Sequence, residues 1–207
     1  MSKWIKRIFI TLAVLIVLVL AAAIILPYVF RDKIEAAVKL EVNKNINAIV
    51  NWGEWDITIL KSFPDLTVDI ADVKVSGNAP FEGVDLARIG SLTATIDIKS
   101  VFGDKIDIKR VGLIKPYIHI RVLEDGKANY DIAIADSAAV ETPSDTASSL
   151  SFGLREYFIE NGHIIYEDLS LPVSMDLANV QHKGSGDFRQ DLFTLETKTT
   201  IDSVTVV

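Results

Sequence analysis

Three histidines, His119, His163 and His182, are the residues best suited to acid–base work or metal ligation near neutral pH. They lie far apart in sequence. None has the i, i+4 or H-x-H partner that would put two imidazoles on one face. They read as surface residues of strands. Asp125, Asn129 and Asp131 carry oxygens of the kind calcium takes. However, acidic residues do not fall at every second position and no glutamate closes the loop. The cluster reads as a polar hairpin tip. Serines are numerous, but no G-x-S-x-G elbow exposes one as a nucleophile. Gly184-Ser185-Gly186 follows no strand-to-helix pattern that would cradle a phosphate. Cysteine is absent, which removes thiolate chemistry and disulfides. The residues therefore supply no catalytic set, no metal site and no cofactor site, and an enzyme is not expected.

Charge excludes a further class. The 21 basic residues include Lys3, Lys6 and Arg7, so 18 remain against 28 acidic ones in the rest of the chain. Such a body repels phosphate backbones and anionic surfaces, and no nucleic-acid partner is expected.

What could do work here is apolar surface, beginning with the first element. Ile8 to Phe30 is a run of 23 residues without a charge, between Arg7 and Arg31. As a helix it would rise about 34 Å, enough to cross a hydrocarbon core of about 30 Å. Tyr28 and Phe30 fall where aromatic rings favour an interface, and Pro27 marks a bend in the last turn. Trp4 would sit at the opposite, cytoplasmic rim. A cleaved signal peptide is the rival reading, with Ala21-Ala22-Ala23 as its site. Cleavage there would leave the apolar stretch Ile24 to Phe30 exposed, so residues 1–30 read as a tail and uncleaved transmembrane anchor. The short N-terminal tail favours an N-terminus inside and a body outside.

Residues 31–51 read as an amphipathic helix. Ile34, Val38, Val42, Ile46 and Ile49 fall within an arc of roughly 120° at helical spacing. Asp32 with Glu35 resembles a helix-start box. The stripe either packs on the domain that follows or plugs the mouth of an apolar groove.

From Trp55 the period changes to two. Trp52 and Trp55 bracket Gly53 at this junction and read as core filler. Leu66, Val68 and Ile70 alternate with polar residues, and Val73 and Val75 resume after a one-residue slip, which predicts a bulge. Leu92, Ala94, Ile96 and Ile98 alternate again. So do Ile106 and Ile108, then Ile118, Ile120 and Val122. These strands have one apolar and one wet face. Phe102-Gly103-Asp104 reads as a turn, and Asp125-Gly126 and Asn161-Gly162 as hairpin dipeptides. Pro116 and Pro172 are expected at strand starts or edges. Residues 52–132 form a first β unit. Residues 133–149 form an Ala/Ser/Thr-rich loop or linker, and residues 150–207 form a second β unit. The last residues, Thr205-Val206-Val207, lie inside an alternating pattern, so continuation beyond them is expected.

The fold class is mainly β, with two N-terminal helices. The alternation fits a closed β-sandwich. It fits equally an open, curved antiparallel sheet whose apolar face lines a groove for acyl chains. The groove-lining candidates are the apolar residues just named from Leu66 to Ile70, Leu92 to Ile98, Ile106 and Ile108, and Ile118 to Val122. The stripe from Ile34 to Ile49 would close the groove end.

Several stretches in order carry a family resemblance. They are Asp65–Ile70, Asn78–Ile89, Ile106–Val111, Pro116–Ile120 and Asp125–Asp131. Behind a short basic tail, a span and an amphipathic helix, this order resembles the N-terminal part of the AsmA family. Ile159–Asp168, followed by Leu177-Ala178-Asn179-Val180 and Gly186-Asp187-Phe188, resembles the segment that follows there. The likeness covers most of the chain outside 133–149. The order of several weak motifs carries it. It implies a single-pass protein of the bacterial inner membrane with its body in the periplasm. It also implies a repeating β-groove that conducts phospholipids between membranes and serves outer-membrane biogenesis. It brings no catalytic residues or cofactor. The implied partners are phospholipid acyl chains and the inner membrane. An assembly scaffold that contacts envelope proteins and binds no lipid is the alternative.

Overall fold

The computed structural model describes residues 4–12, 14–15, 18, 25, 29, 36, 42, 46–103, 106–132, 150–151, 153–188 and 192–207. Residues 4–12 are helical. Among the described residues no helix is long and apolar enough to cross a membrane. Most of the span expected over Ile8 to Phe30 lies outside the described residues, as do Ile34, Val38 and the loop 133–149.

Ten strands follow. They are β1 (Ala48–Asn51), β2 (Trp55–Thr58), β3 (Leu66–Gly77), β4 (Asp85–Ile96), β5 (Ile106–Val122), β6 (Leu150–Ser151), β7 (Glu156–Asp168), β8 (Val173–Ser185), β9 (Glu196–Thr200) and β10 (Ser203–Val206). They form one sheet in the order β1-β3-β4-β5-β7-β8-β10, with β2 beside β3, β6 beside β5 and β9 beside β8. The strands at the two edges do not meet, so among the described residues the sheet is open and single-layered. The sandwich reading is set aside.

The far end of the expected helix is strand. Ile46 N donates to Val42 O (3.0 Å), one last helical bond, and Ala48–Asn51 then pairs antiparallel with β3. Asn45, Asn47 and Asn51 are poor helix formers, and the edge of β3 offers the ladder that wins. Ile49 is therefore an exposed strand residue and not part of a helical stripe.

The sheet is mixed, not antiparallel throughout, because β5 and β7 run parallel. A parallel pair needs a crossover of a dozen or more residues, and residues 123–155 supply it. Residues 133–149, expected as a loop or linker, fall within this connection and lie outside the described residues. This seam joins 52–132 and 150–207 in one sheet.

Backbone slips fall in a line across the strands. Asp72 (φ 52°), Lys115 (φ 50°), Asn161 (φ 54°) and Asn179 (φ 53°) are left-handed. Asp72 faces Gly90 between the pairs Ala71↔Ser91 and Val73↔Ile89. Lys115 comes next on β5, between Ser91↔Ile114 and Ile89↔Pro116. A left-handed residue breaks the period of two, so the apolar set moves from Ile70 to Val73 in β3 and from Leu113 to Pro116 in β5. The slip expected after Ile70 is present. However, the β3–β4 register runs unbroken through it, because both strands slip together.

The same line overturns one turn prediction and the placing of Pro116 at a strand start or edge. Asn161-Gly162 is no hairpin, since β7 runs straight through it. A two-residue hairpin of that type needs positive φ at both residues, and here Asn161 alone adopts it. Pro116 is buried in the central strand β5, where the ladder to β7 is interrupted and no donor is required. Asn129 is likewise no exposed tip. It is 2% exposed; its side-chain oxygen accepts from Arg121 N (2.9 Å) and its amide donates to His119 O (2.7 Å). Asp125-Gly126 does form a turn, and Pro172 directly precedes β8.

Candidate functional site

The pairing register puts the apolar residues on one face. Ile70, Leu92 and Leu113 lie side by side, and the row continues to Ile159 on β7. Val75, Ala87, Ile118, Ile164 and Leu177 form another row, ending at Val204 on β10. Ile120, Tyr166, Met175 and Val206 form a third. A continuous apolar floor therefore crosses six strands.

This floor is sealed at one end and open over its middle. Leu66, Val68, Ile96 and Ile106 are all under 9% exposed and close into a cluster with Ile57, Ile59 and Val101. Trp55, Ile70, Ile98 and Ile108 pack against it. In the second half, Tyr157 stacks over Gly184, where any Cβ would collide with its ring. Phe188 lies 4.6 Å from Phe193 and 6.1 Å from Tyr157 between ring centres. Aliphatic and aromatic groups thus block this end.

Leu92, Ala94, Leu113, Ile118, Ile120, Ile159, Ile164 and Leu177 are half-buried, with no second layer over them among the described residues. Of the groove candidates, then, Leu66, Val68, Ile96 and Ile106 belong to the sealed cluster. Val122 is also buried. Leu92, Ala94, Ile118 and Ile120 stand on the open floor. Of the expected closing helix, Val42 is helical and half-buried and Ile46 lies in a bridge.

Reading the sequence missed the floor's second half, Ile159, Ile164, Tyr166, Met175 and Leu177. The signal was present: each strand alternates once a slip is allowed at Asn161 and at Asn179.

The reverse face is polar and ion-paired across the parallel seam. Glu156 on β7 takes Arg110 Nε from β5 (2.9 Å) and Lys183 Nζ from β8 (2.8 Å). Glu167 takes Arg121 (2.7 Å), and His119 Nε2 lies 3.0 Å away. The hydrogen bond from Arg121, opposed by partial burial and aided by His119, holds the Glu167 carboxyl below its ordinary range. Lys109 bridges Asp97 (2.7 Å) and Asp65 (2.9 Å). His163 pairs with Asp176 (2.8 Å). His182 stands instead on the floor face beside Ile159, its ring 5.4 Å from that of Tyr157 and its Nδ1 2.8 Å from Thr199 Oγ1. Each histidine thus has a strand neighbour, and no group of three or more His, Asp or Glu that could hold a metal occurs among the described residues. The reverse face has the groups to stay wet; the floor face is mostly aliphatic, with His182 and the Tyr166 hydroxyl among its few polar groups. The arrangement can shelter hydrocarbon along a strip.

No curated protein matches the chain. The family model described as the AsmA family matches residues 1–199, nearly the whole sequence, and the chain belongs to the AsmA family.

Proposed function

We propose that this chain is an inner-membrane-anchored periplasmic β-groove protein that carries phospholipid acyl chains along its apolar floor and serves outer-membrane biogenesis. One observation carries the reading: a single-layer sheet leaves a continuous apolar floor half-exposed while its reverse face is polar. Each methylene kept out of water on such a floor is worth about 0.8 kcal/mol. Many weak, similar contacts allow a chain to slide without a chemical step. The charge-free run from Ile8 to Phe30 supports the anchor, and family membership supports the envelope setting.

The test is photocrosslinking in cells from a photoreactive residue at position 113, with position 160 on the reverse face as control. Phospholipid adducts at 113 and none at 160 are expected. The second reading, an assembly scaffold, draws on the exposed edge strand β10, where Val204 is 55% and Val206 62% exposed. Protein adducts at 204 with no lipid at 113 would replace the first reading by the second.

A further inference from the structure

The two ends of the sheet differ in what they present. The chain enters the sheet at Asn47, whose backbone N donates to Ile132 O (2.6 Å). This is the end of the β3–β4 connection, of the segment after β5, and of the β7–β8 turn. Turn residues are commonly Gly, Pro, Asn, Asp or Ser, and Ser170 and Pro172 of the β7–β8 turn conform. The other two positions of this uncharged turn are leucines, Leu169 and Leu171. Leu169 is 50% and Leu171 67% exposed, and Val173 beside them is 36% exposed.

The turn is held firmly. Asp168 is 6% exposed, and its Oδ1 accepts from Ser170 N (2.9 Å), Ser170 Oγ (2.6 Å) and Leu171 N (3.1 Å). Its Oδ2 accepts from Tyr166 Oη (2.9 Å), and Leu169 N donates to Val122 O (2.9 Å). These bonds hold two exposed leucines at the end where the chain enters the sheet. Tyr130, 53% exposed, stands at the same end, and an aromatic ring with a polar tip suits a bilayer interface.

We propose that the Leu169–Pro172 turn inserts into the interfacial layer of the inner membrane and seats this end of the floor on the bilayer. The inference rests on the anchored-groove reading above. The occupant is lipid: the turn is uncharged and presents two exposed leucines, and it lies at the end where the chain enters the sheet after the charge-free run. Exposed Glu82, Glu124, Asp125 and Asp131 flank it with Lys127, which pairs with Asp125 (2.6 Å). Charge therefore does not draw this end to anionic lipid. Apolar burial drives the contact, which is met by zwitterionic lipid and insensitive to salt.

The absence of cysteine makes the test direct. Leu171→Cys, Asp125→Cys and Leu60→Cys each give one labelling site, Leu60 lying at the opposite end of the sheet. The full-length variants are labelled with an environment-sensitive fluorophore and reconstituted into phosphatidylcholine–phosphatidylethanolamine vesicles containing nitroxide-labelled lipid. The probe at 171 should be blue-shifted and quenched several-fold more than the probe at 60, equally in low and high salt. The double variant Leu169→Ser/Leu171→Ser should keep its circular dichroism and stay with alkali-washed membranes, yet lose most lipid adducts at 113.

An unquenched probe at 171, with lipid adducts at 113 intact, would overturn the insertion and leave the groove reading standing. A blue-shifted but unquenched probe would mean that protein covers the turn, and would overturn it too. Quenching at 60 in place of 171 would invert the sheet on the membrane. Release of the parent chain by alkaline extraction would bring down the anchor, and this inference with it.

Discussion

Two substitutions four residues apart on the same face of β4 separate an open floor from a sealed core. Ile96 is 4% exposed among Ile57, Ile59, Leu66, Val68, Val101 and Ile106. Leu92 is half-buried between Ile70 and Leu113. Ile96→Asp loses the transfer energy of a buried side chain, about 1.5–3 kcal/mol. It also leaves an unpaired carboxylate away from water, which costs several kcal/mol more. The total, about 5 kcal/mol or above, matches the whole stability of many domains. Leu92→Asp loses only part of one side chain's burial, and water reaches the new charge, so about 1–2 kcal/mol is expected. Urea denaturation followed by circular dichroism measures both, with Thr95→Asp on the reverse face as the near-neutral control. The two aspartates should differ by roughly 3 kcal/mol or more, the gap between those two sums. Folded Leu92→Asp should also lose lipid adducts at 113. Equal, severe destabilisation at 92 and 96 would show that a further layer seals the floor, and the groove reading would fall.

Asn161→Gly should change the unfolding free energy measured in urea by no more than about a few tenths of a kcal/mol, whereas Asn161→Val, forcing a β-branched residue left-handed, should cost about 1–2 kcal/mol; an unaffected valine variant would mean that the slip is not pinned there. Asp97 is held below its ordinary carboxyl value by the hydrogen bond from Lys109, against partial burial. Because the folded value is the lower one, its contribution is complete above the ordinary carboxylate range and is lost as pH falls through the folded value. Asp97→Asn should therefore flatten the acid limb of stability measured between pH 7 and pH 3, and an unchanged limb would remove Asp97 from the account. A reporter active only outside the cytoplasm, fused after Ser149, should be active; a well-expressed but inactive fusion would reverse the orientation.

Much of the first half was legible from residue order. Alternation at Leu66–Ile70, Leu92–Ile96 and Ile118–Val122 located β3, β4 and β5, because a sheet with one wet face writes its period of two into the chain. The turn at Asp125-Gly126 was legible for a similarly local reason: its residues suit no ladder. The helix over 31–51 failed at its far end because helical spacing in Ile46 and Ile49 is a local signal, and the free edge of β3 outweighs it.

The order of residues by itself determined that there is one apolar and one polar face and an uncharged N-terminal run. Only the tertiary structure decided that the faces belong to an open layer, and which apolar residues are sealed. Ile96 and Leu92 look alike in the pattern, yet one lies under Ile57 and Val101 while the other does not. Only the assembled sheet shows that Asp72, Lys115, Asn161 and Asn179 act together. Each alone reads as a bulge, a strand residue or a hairpin. Their common purpose, keeping the apolar face continuous through a shared slip, exists only between strands that pairing brings side by side.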